Sequence, residues 1–377
     1  MKIVLIGTVA SSFLGFRADL IRAMREKQYT VYAFTSEYTE LDLKKIESLG
    51  AIPVTYELNR GGLNPLSDIV ATYKLSKKIK EINPDLVFSY FSKPVIFGTI
   101  AAKLAKVPKV IGMLEGLGYT FTEQPEGLNK KTQLIKKVQV LLYKFALPLL
   151  DKLIFLNPDD PKDLLNKYSI KVKSLEILGG IGLNLQEYQY QPINTIKFPI
   201  KFLFIGRLLK EKGINEFVQA AKLIKDRYPE TQLTVLGAID PQNLGALTQS
   251  ELDELVSSNI IDYPGHVNNV KDWIANSHVF VLPSYYREGV PRSTQEAMAI
   301  GRPIITTDVP GCRETVQNGV NGFLVPKWNT QVLVDKMIYF IENPEEIHIM
   351  GSESYKIAID KFDSNKVNKR LLDILNL

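Results

Sequence analysis

Glu288 and Glu296 are candidate ligand-binding residues, because they lie eight positions apart around a predicted helix start. Carboxylates accept hydrogen bonds from neighbouring hydroxyl groups, so such a pair suits a diol, as in a ribose or a sugar ring. Taken alone, two solvated glutamates near a helix start explain the spacing equally well.

The flanking pattern indicates how this pair is positioned. Val279 to Pro283 is an apolar, β-rich run, which predicts a buried parallel strand. We expect a loop at Ser284 to Glu288 and a helix from Arg292 to Ile300, which Gly301 ends. A strand that leads into a helix brings backbone N–H groups and the positive end of the helix dipole to the carboxyl edge of the sheet, where anions bind.

A second strand-to-loop passage supplies two fixed cations. Lys201 to Ile205 predicts another buried strand, and Gly206 to Gly213 follows it. The glycines allow a tight turn, and Arg207 and Lys212 project from the same predicted edge. This pair suits a diphosphate, because Arg binds oxygen atoms in a fork while Lys acts as a point charge.

These two segments carry a family resemblance. G-R-L-x-x-E-K-G at 206–213, followed by E-G-x-P-x-x-x-x-E-A at 288–297, resembles the donor-binding half of retaining family-4 glycosyltransferases of the GT-B fold. The match covers the C-terminal half nearly from end to end. It implies an α/β fold of the GT-B type, with two Rossmann-like, doubly wound domains that face each other across a cleft.

In the N-terminal half, G-L-G-Y-x-F at 116–121 follows a predicted strand and Glu115. This motif resembles the branch of the family that extends sugars carried on polyprenyl diphosphates. Glu115, Gly116, Gly118 and Tyr119 are therefore expected on the acceptor side, with Glu115 beside the chemistry. Many family members have a histidine in this region, whereas all the histidines of this chain lie in its C-terminal half. A glycine turn with a surface glutamate is the alternative.

Strands and helices alternate from the first residue, which predicts doubly wound parallel sheets. We expect an acceptor-binding domain at 1–187, to which a crossover helix at about 358–377 returns by the resemblance, and a nucleotide-sugar-binding domain at 188–357. The first loop lacks G-x-G-x-x-G, so no dinucleotide cofactor is expected. Its Ser11 and Ser12 stand where many family members have a glycine pair; we expect them on the acceptor side, and a loop without ligand contact is the alternative.

Composition and charge indicate the cellular compartment and the kind of partner to expect. Cys312 is the only cysteine of the 377 residues, which excludes a disulfide within the chain and fits a reducing cytoplasm. No apolar run approaches the ~18 residues of a membrane span, and the N-terminal run is too short for a signal peptide. The net charge of +5 is uneven, because residues 1–190 hold 26 Lys and Arg against 19 Asp and Glu. This excess favours an anionic partner for the N-terminal half.

The segment Leu128 to Leu150 predicts a lysine-rich helix without acidic residues. Its apolar residues recur at helical spacing, and a basic amphipathic helix of this kind can lie on an anionic bilayer. Packing of the apolar stripe on the core, with a solvated lysine face, is the alternative. We expect a cytoplasmic protein that is peripheral on the inner face of the cell membrane and touches it through Lys130, Lys131, Lys136 and Lys137.

The resemblance implies retaining transfer of a hexose or an N-acetylhexosamine from a UDP-sugar to a sugar on a polyprenyl-diphosphate carrier. The nucleotide sugar is a co-substrate, and no cofactor or metal ion is expected, since the sequence contains no D-x-D triplet. Glu288 would bind the transferred sugar and Glu296 the ribose. The residues expected in catalysis are Arg207, Lys212, Glu288 and Glu115. Those expected to bind the donor are Gly206, Arg207, Lys212, Gly237, His266, Val267, Glu288, Gly289, Val290, Pro291, Arg292 and Glu296.

Three other functions stay open at this point. An inactive nucleotide-sugar-binding scaffold of a glycan assembly complex would be favoured by loss of the two cations or the two glutamates, all of which this chain keeps. A nucleotide-sugar epimerase shares the fold but needs no lipid-facing basic helix, so liposome binding separates the two. A nucleic-acid binder is suggested only by the pI of 8.9, without any recognisable module, and would show steeply salt-dependent affinity.

Metal independence follows from this donor site, because fixed cations and backbone donors would do the work that a divalent ion does in other enzymes. Sugar transfer should survive excess EDTA, which an assay before and after chelation measures. A complete loss of transfer that added metal restores would contradict the assignment.

Overall fold

The computed structural model of the protein describes residues 1–58, 65–193, 195–196, 198–241 and 243–377. It divides into two compact units. The first contains residues 1–120, 129–181 and 364–377, and the second contains residues 121–128 and 182–363. The sequence placed the boundaries at 187/188 and near 358, a few residues away. The sequence-based assignment places residues 121–128 in the first domain, whereas in the structure they cluster with the second unit.

A parallel sheet forms the centre of the first unit. Its strands are β1 (Lys2–Ile6), β2 (Thr30–Thr35), β3 (Ile52–Thr55), β4 (Leu86–Tyr90), β5 (Lys109–Leu114), β6 (Lys152–Phe155) and β7 (Leu175–Ile177). Their order in the sheet is β3-β2-β1-β4-β5-β6-β7. The helices of this unit are α1 (Ala10–Phe16), α2 (Ala18–Glu26), α3 (Glu40–Ser48), α4 (Pro65–Ile82), α5 (Thr99–Leu104), α6 (Lys130–Ala146) and α7 (Asp159–Pro161).

The second unit repeats this plan. Its strands are β8 (Lys201–Ile205), β9 (Gln232–Leu236), β10 (Asp262–Gly265), β11 (Val279–Leu282), β12 (Ile304–Thr307) and β13 (Gly322–Val325). They pair in parallel in the order β10-β9-β8-β11-β12-β13. Its helices are α8 (Ile214–Arg227), α9 (Gln249–Ser257), α10 (Val270–Ala275), α11 (Arg292–Ile300), α12 (Thr330–Glu342) and α13 (Glu345–Lys361). The predicted α/β fold with two doubly wound parallel sheets is confirmed.

The last helix, α14 (Ser364–Leu375), belongs to the first unit, where it packs on α2. Two lysines hold carbonyl oxygens at its C-terminal end. Lys109 Nζ donates to the carbonyl of Leu375 at 2.5 Å, and Lys152 Nζ donates to that of Ile374 at 2.8 Å. Cations stabilise a helix at this end, where the carbonyl groups lack partners within the helix and the dipole is negative.

The prediction of a loop after β1 was wrong in part, because most of that segment forms helix α1 (Ala10–Phe16). Ala10, Ser12 and Phe13 of this helix are buried. Serine has a modest helix propensity, which favoured a loop in the sequence, but burial of one helix face outweighs a propensity difference of well under ~1 kcal/mol per residue.

Gly213 allows the exits of β8 and β11 to approach each other. It stands between the short 3₁₀ segment Lys210–Lys212 and α8, with φ of 81°. A Cβ at this position would lie 2.2 Å from the carbonyl oxygen of Pro283, which directly follows β11. Any larger residue would push the two loops apart.

We predict that Gly213→Ala destabilises the protein through two separate effects. The left-handed backbone costs a non-glycine residue about 1–2 kcal/mol, and overlap with a packed neighbour adds about 1–3 kcal/mol. Gly319→Ala is the matched control, since Gly319 has φ of 79° but no atom within 4 Å of its Cβ position. Urea denaturation measures both variants, and equal losses would contradict the close approach of the loops.

Candidate functional site

In the second unit, the loops after β8 and β11 lie side by side at the point where the strand order reverses direction. The backbone N–H groups of Tyr285 and Tyr286 both donate to the carbonyl oxygen of Glu211, at 2.8 and 3.0 Å. These bonds join the two loops. The motifs at 206–213 and 288–297 thus share one edge of the sheet.

The loop after β9 lies at the same edge. A Cβ at Gly237, whose φ is 150°, would lie 1.9 Å from the carbonyl oxygen of Gly206, so glycine is required for this contact. The N–H of Gly237 donates to the carbonyl of Gly265 at 3.0 Å. His266 and Val267 directly follow Gly265, the last residue of β10. Three of the predicted donor-binding residues, Gly237, His266 and Val267, therefore occupy neighbouring loops.

Lys212 and Glu288 form an ion pair, with 2.5 Å between Nζ and Oε2, and their side chains are only 10% and 15% exposed. Ser284 Oγ donates to the other carboxylate oxygen, Oε1, at 3.0 Å. Charges this little exposed are screened weakly by water and salt. The structure therefore brings a predicted phosphate-binding cation and a predicted sugar-binding carboxylate into direct contact.

Arg207 is held from two sides. Its Nη1 lies 2.9 Å from Asp240 Oδ2. Its guanidinium carbon and Lys212 Nζ lie 5.9 and 5.8 Å from the ring centroid of Tyr286, within cation–π range. Burial raises the pKa of the Tyr286 phenol, so the ring stays neutral beside both cations. Sequence reasoning missed both partners; Tyr286, two residues before Glu288, carried a usable signal, whereas Asp240 carried none.

Helix α11 spans Arg292–Ile300 and ends at Gly301, which has φ of 90°, so this prediction is confirmed. Glu296 lies within it, and its Oε1 accepts from Arg292 Nε and from the phenol of Tyr188, both at 2.9 Å. Burial and then the charge of Glu296 raise the pKa of Tyr188, which keeps the phenol a donor. Tyr188 lies more than a hundred residues away along the chain and belongs to no motif, so no local pattern indicates that it contacts Glu296.

The segment between the two glutamates is tightly packed. The carbonyl oxygen of Gly289 lies 2.5 Å from the Cβ position of Gly311. The carbonyl of Val290 accepts from Gln295 Nε2 at 3.2 Å, and Pro291 is the residue before α11. These contacts hold the backbone that leads into the helix.

The predicted acceptor side lies in the first unit, in a buried polar cluster. Glu115, which follows β5, pairs with Arg17; their side chains are 8% and 2% exposed. The Arg17 guanidinium lies 4.8 Å from the ring centroid of Tyr90, whose hydroxyl is 3.3 Å from Ser12 Oγ. Burial raises the pKa of Glu115, and Arg17 opposes this rise. Ser11, on the same helix as Ser12, is exposed.

The glycine loop after Glu115 is tied to α6. Gly116 and Gly118 have φ of 103° and 76°, and Tyr119 begins a short 3₁₀ turn. Thr120 Oγ1 then donates to Gln139 Oε1 of α6 at 2.6 Å. The sequence indicated the loop but not this attachment, because Gln139 lies on a helix with no acceptor motif.

The described residues offer few groups for metal binding or for thiol chemistry. No cluster of three or more His, Cys, Asp or Glu side chains is arranged among them to hold a metal ion. Cys312 is buried, and burial raises the pKa of its thiol to about 12, which keeps it protonated at neutral pH. Within the same residues, no helix has both the length and the apolar character needed to cross a bilayer.

Comparisons with known proteins agree with this arrangement. The family model described as glycosyl transferase 4-like matches residues 2–157, and the model described as glycosyl transferases group 1 matches residues 186–357. One relative is the N,N'-diacetylbacillosaminyl-diphospho-undecaprenol alpha-1,3-N-acetylgalactosaminyltransferase of Campylobacter jejuni. The two sequences are 28% identical over 388 aligned residues, and the alignment covers 99% of this chain and 98% of the relative.

A second relative is the UDP-Gal:alpha-D-GlcNAc-diphosphoundecaprenol alpha-1,3-galactosyltransferase of Escherichia coli. It is 24% identical over 322 residues, which cover 83% of this chain and 79% of the relative. Among solved structures, Anabaena Alr3699/HepE in complex with UDP and glucose superposes with a TM-score of 0.77 at 17% identity, over 100% of this chain and 99% of that one.

Proposed function

This chain belongs to the 4-like and group 1 glycosyl transferases and has the GT-B fold, and from that premise we propose its reaction. It transfers a hexose or an N-acetylhexosamine from a UDP-sugar to a sugar on a polyprenyl diphosphate, with retention of configuration and without a metal ion. The observation that carries this proposal is the set of Arg207, Lys212 and Glu288 at the switch point of the second sheet. The names of the two relatives support the acceptor, and the UDP-bound neighbour supports the donor.

In this proposal the donor lies along the loops of the second unit. Glu288 accepts from Ser284 Oγ and pairs with Lys212, and a carboxylate oxygen can accept more than one hydrogen bond, so a sugar hydroxyl can donate to it as well. The described contacts of Glu296 fall on Oε1, so Oε2 can accept from the ribose. The base lies near Gly237 and the segment after β10.

Arg207 and Lys212 carry the electrostatic part of catalysis. The bond between the sugar and the diphosphate breaks as the bond to the acceptor hydroxyl forms, and negative charge grows on the departing diphosphate. Cations that are already held in place stabilise this charge without reorganising during the reaction. Asp240 and Glu288 provide that hold. On the acceptor side, we propose that Glu115 acts close to the reacting groups and that Arg17 positions its carboxylate.

The donor proposal is tested by a panel of UDP-sugars, assayed for hydrolysis and thermal shift. Arg207→Ala and Lys212→Ala should each weaken UDP binding and lower hydrolysis by about ten- to hundredfold, because each removes a charge-assisted contact. Lys210→Ala is the matched control, since Lys210 lies in the same 3₁₀ segment but pairs with Glu251 at an exposed position. Wild-type binding in both test variants would reject the donor site.

We also propose that α6 rests on an anionic membrane surface. The helix begins at Lys130, where Asn129 Oδ1 accepts from the N–H of Thr132 at 2.8 Å. Its apolar stripe does not pack on the core throughout, because Leu134 and Phe145 are 63% and 66% exposed. Exposed apolar groups beside lysines are typical of helices that lie in the membrane interface.

A second helix of the first unit, α4, also has exposed apolar residues. Ile69, Val70 and Tyr73 are exposed, and they lie on the side of the helix away from the buried core residues Leu75 and Ile79. Both α4 and α6 pack on the helical segment Pro94–Gly98. The two helices thus flank one structural element, each with apolar groups turned to solvent. This placement supports a membrane-facing side of the first unit.

Charge reversal tests this part of the proposal. The variant with glutamate at Lys130, Lys131, Lys136 and Lys137 should lose binding to anionic liposomes, since each lysine near such a surface contributes about 1 kcal/mol. Transfer to a lipid-linked acceptor should slow, while UDP-sugar hydrolysis and transfer to a short soluble analogue stay near wild type. Reversal of Lys222, Lys225, Lys356 and Lys361 in the second unit gives the same change in net charge and is the control. Equal slowing of all three reactions would mean that α6 has only a structural role.

A further inference from the structure

Residues Phe121–Leu128, which we call the strap, pack with the second unit although the chain on both sides belongs to the first. Two side-chain contacts attach the strap to the donor loops. Thr122 Oγ1 accepts from the backbone N–H of Arg287 at 3.0 Å, and Gln124 Nε2 donates to Glu211 Oε1 at 2.9 Å. The strap therefore bonds to both of the loops that carry the proposed donor site.

The two attachment points directly precede the charged residues of that site. Glu211 is followed by Lys212, and Arg287 is followed by Glu288. A third contact, the ion pair of Glu123 with Lys327, lies outside these loops, and the Glu123 side chain is 75% exposed. Gln124 and Glu123 therefore allow a buried contact of the strap to be compared with an exposed one.

Glu211 is the residue on which the loops converge. It is 2% exposed, and its carbonyl oxygen holds the N–H groups of Tyr285 and Tyr286. Its Oε1 accepts from Gln124, whereas its Oε2 has no hydrogen-bond partner among the described residues and faces the backbone of Gly245. A buried carboxylate with so few donors depends strongly on each of them.

We propose that Gln124 is a positioning residue for the donor site. Its amide keeps the Glu211 carboxylate in place, and Glu211 in turn sets both Lys212 and the loop that leads to Glu288. The inference rests on the proposed function in one respect, namely that the ligand of this site is a nucleotide diphosphate. Because the strap begins two residues after Tyr119, the segment that orders the donor site is continuous with the glycine loop.

The experiment compares Gln124→Leu, the exchange variant Q124E/E211Q, and Glu123→Gln as the control within the strap. Leucine preserves the approximate size of the side chain but removes the donor, and the exchange variant restores a hydrogen bond with donor and acceptor reversed. Two quantities are measured in each: the dissociation constant for UDP, and amide hydrogen exchange of Tyr285, Tyr286 and Arg287.

Gln124→Leu should weaken UDP binding and speed exchange of these amides, each by about tenfold, as expected for loss of a bond to a charged group. The exchange variant should recover most of both, and Glu123→Gln should match wild type. Unchanged exchange and UDP affinity in Gln124→Leu, or failure of the exchange variant to recover either, would overturn the proposal. If wild type does not bind UDP, the proposed function fails, while the hydrogen exchange still decides the role of Gln124.

Discussion

The close approach of the loops after β8 and β11 is the constraint on which the second unit depends. Gly213 lets the backbone pass beside the carbonyl of Pro283, and the carbonyl of Glu211 bonds two N–H groups of the opposite loop. Pairing of β8 with β11 brings the two exits together at one edge of the sheet but does not set the separation of the loops that follow them. Once that separation is set, Lys212 can reach Glu288, with the Tyr286 ring beside the ammonium group and Ser284 bonded to the carboxylate.

This geometry places opposite charges in contact before any ligand arrives. A lone ammonium group at 10% exposure would lose much of its hydration without compensation, and the same holds for the carboxylate. Pairing satisfies both and leaves each able to make further hydrogen bonds. The first unit uses the same solution for Arg17 and Glu115, with Tyr90 beside the guanidinium. In both units the charged groups of the candidate site are therefore held by partners within the protein.

Local sequence signals were sufficient for most of the regular elements, although they missed α1. The apolar run before Glu288 and the glycine after Ile300 predict the bounds of β11 and α11 to within one residue, because both signals act within a few residues of the element they define. Local signals did not predict the side chains that contact the site residues. Arg17 and Tyr188 lie about a hundred residues from the glutamates that they contact, and only tertiary packing brings them there. The membership of the strap in the second unit likewise depends on long-range contacts, and no composition change marks it.

The return of α14 to the first unit has a consequence for synthesis on the ribosome. The residues that complete the first unit, 364–377, follow the second unit along the chain, so the whole second unit emerges before the first is finished. Domains usually fold as they emerge, from the N-terminal side. In this chain the surface of the first unit that packs against Leu371, Leu372 and Leu375 stays exposed until α14 has been synthesised. The second unit is interrupted in the same way by the strap, but its missing eight residues are already present when its main segment appears. The order of completion is therefore the reverse of the order of synthesis.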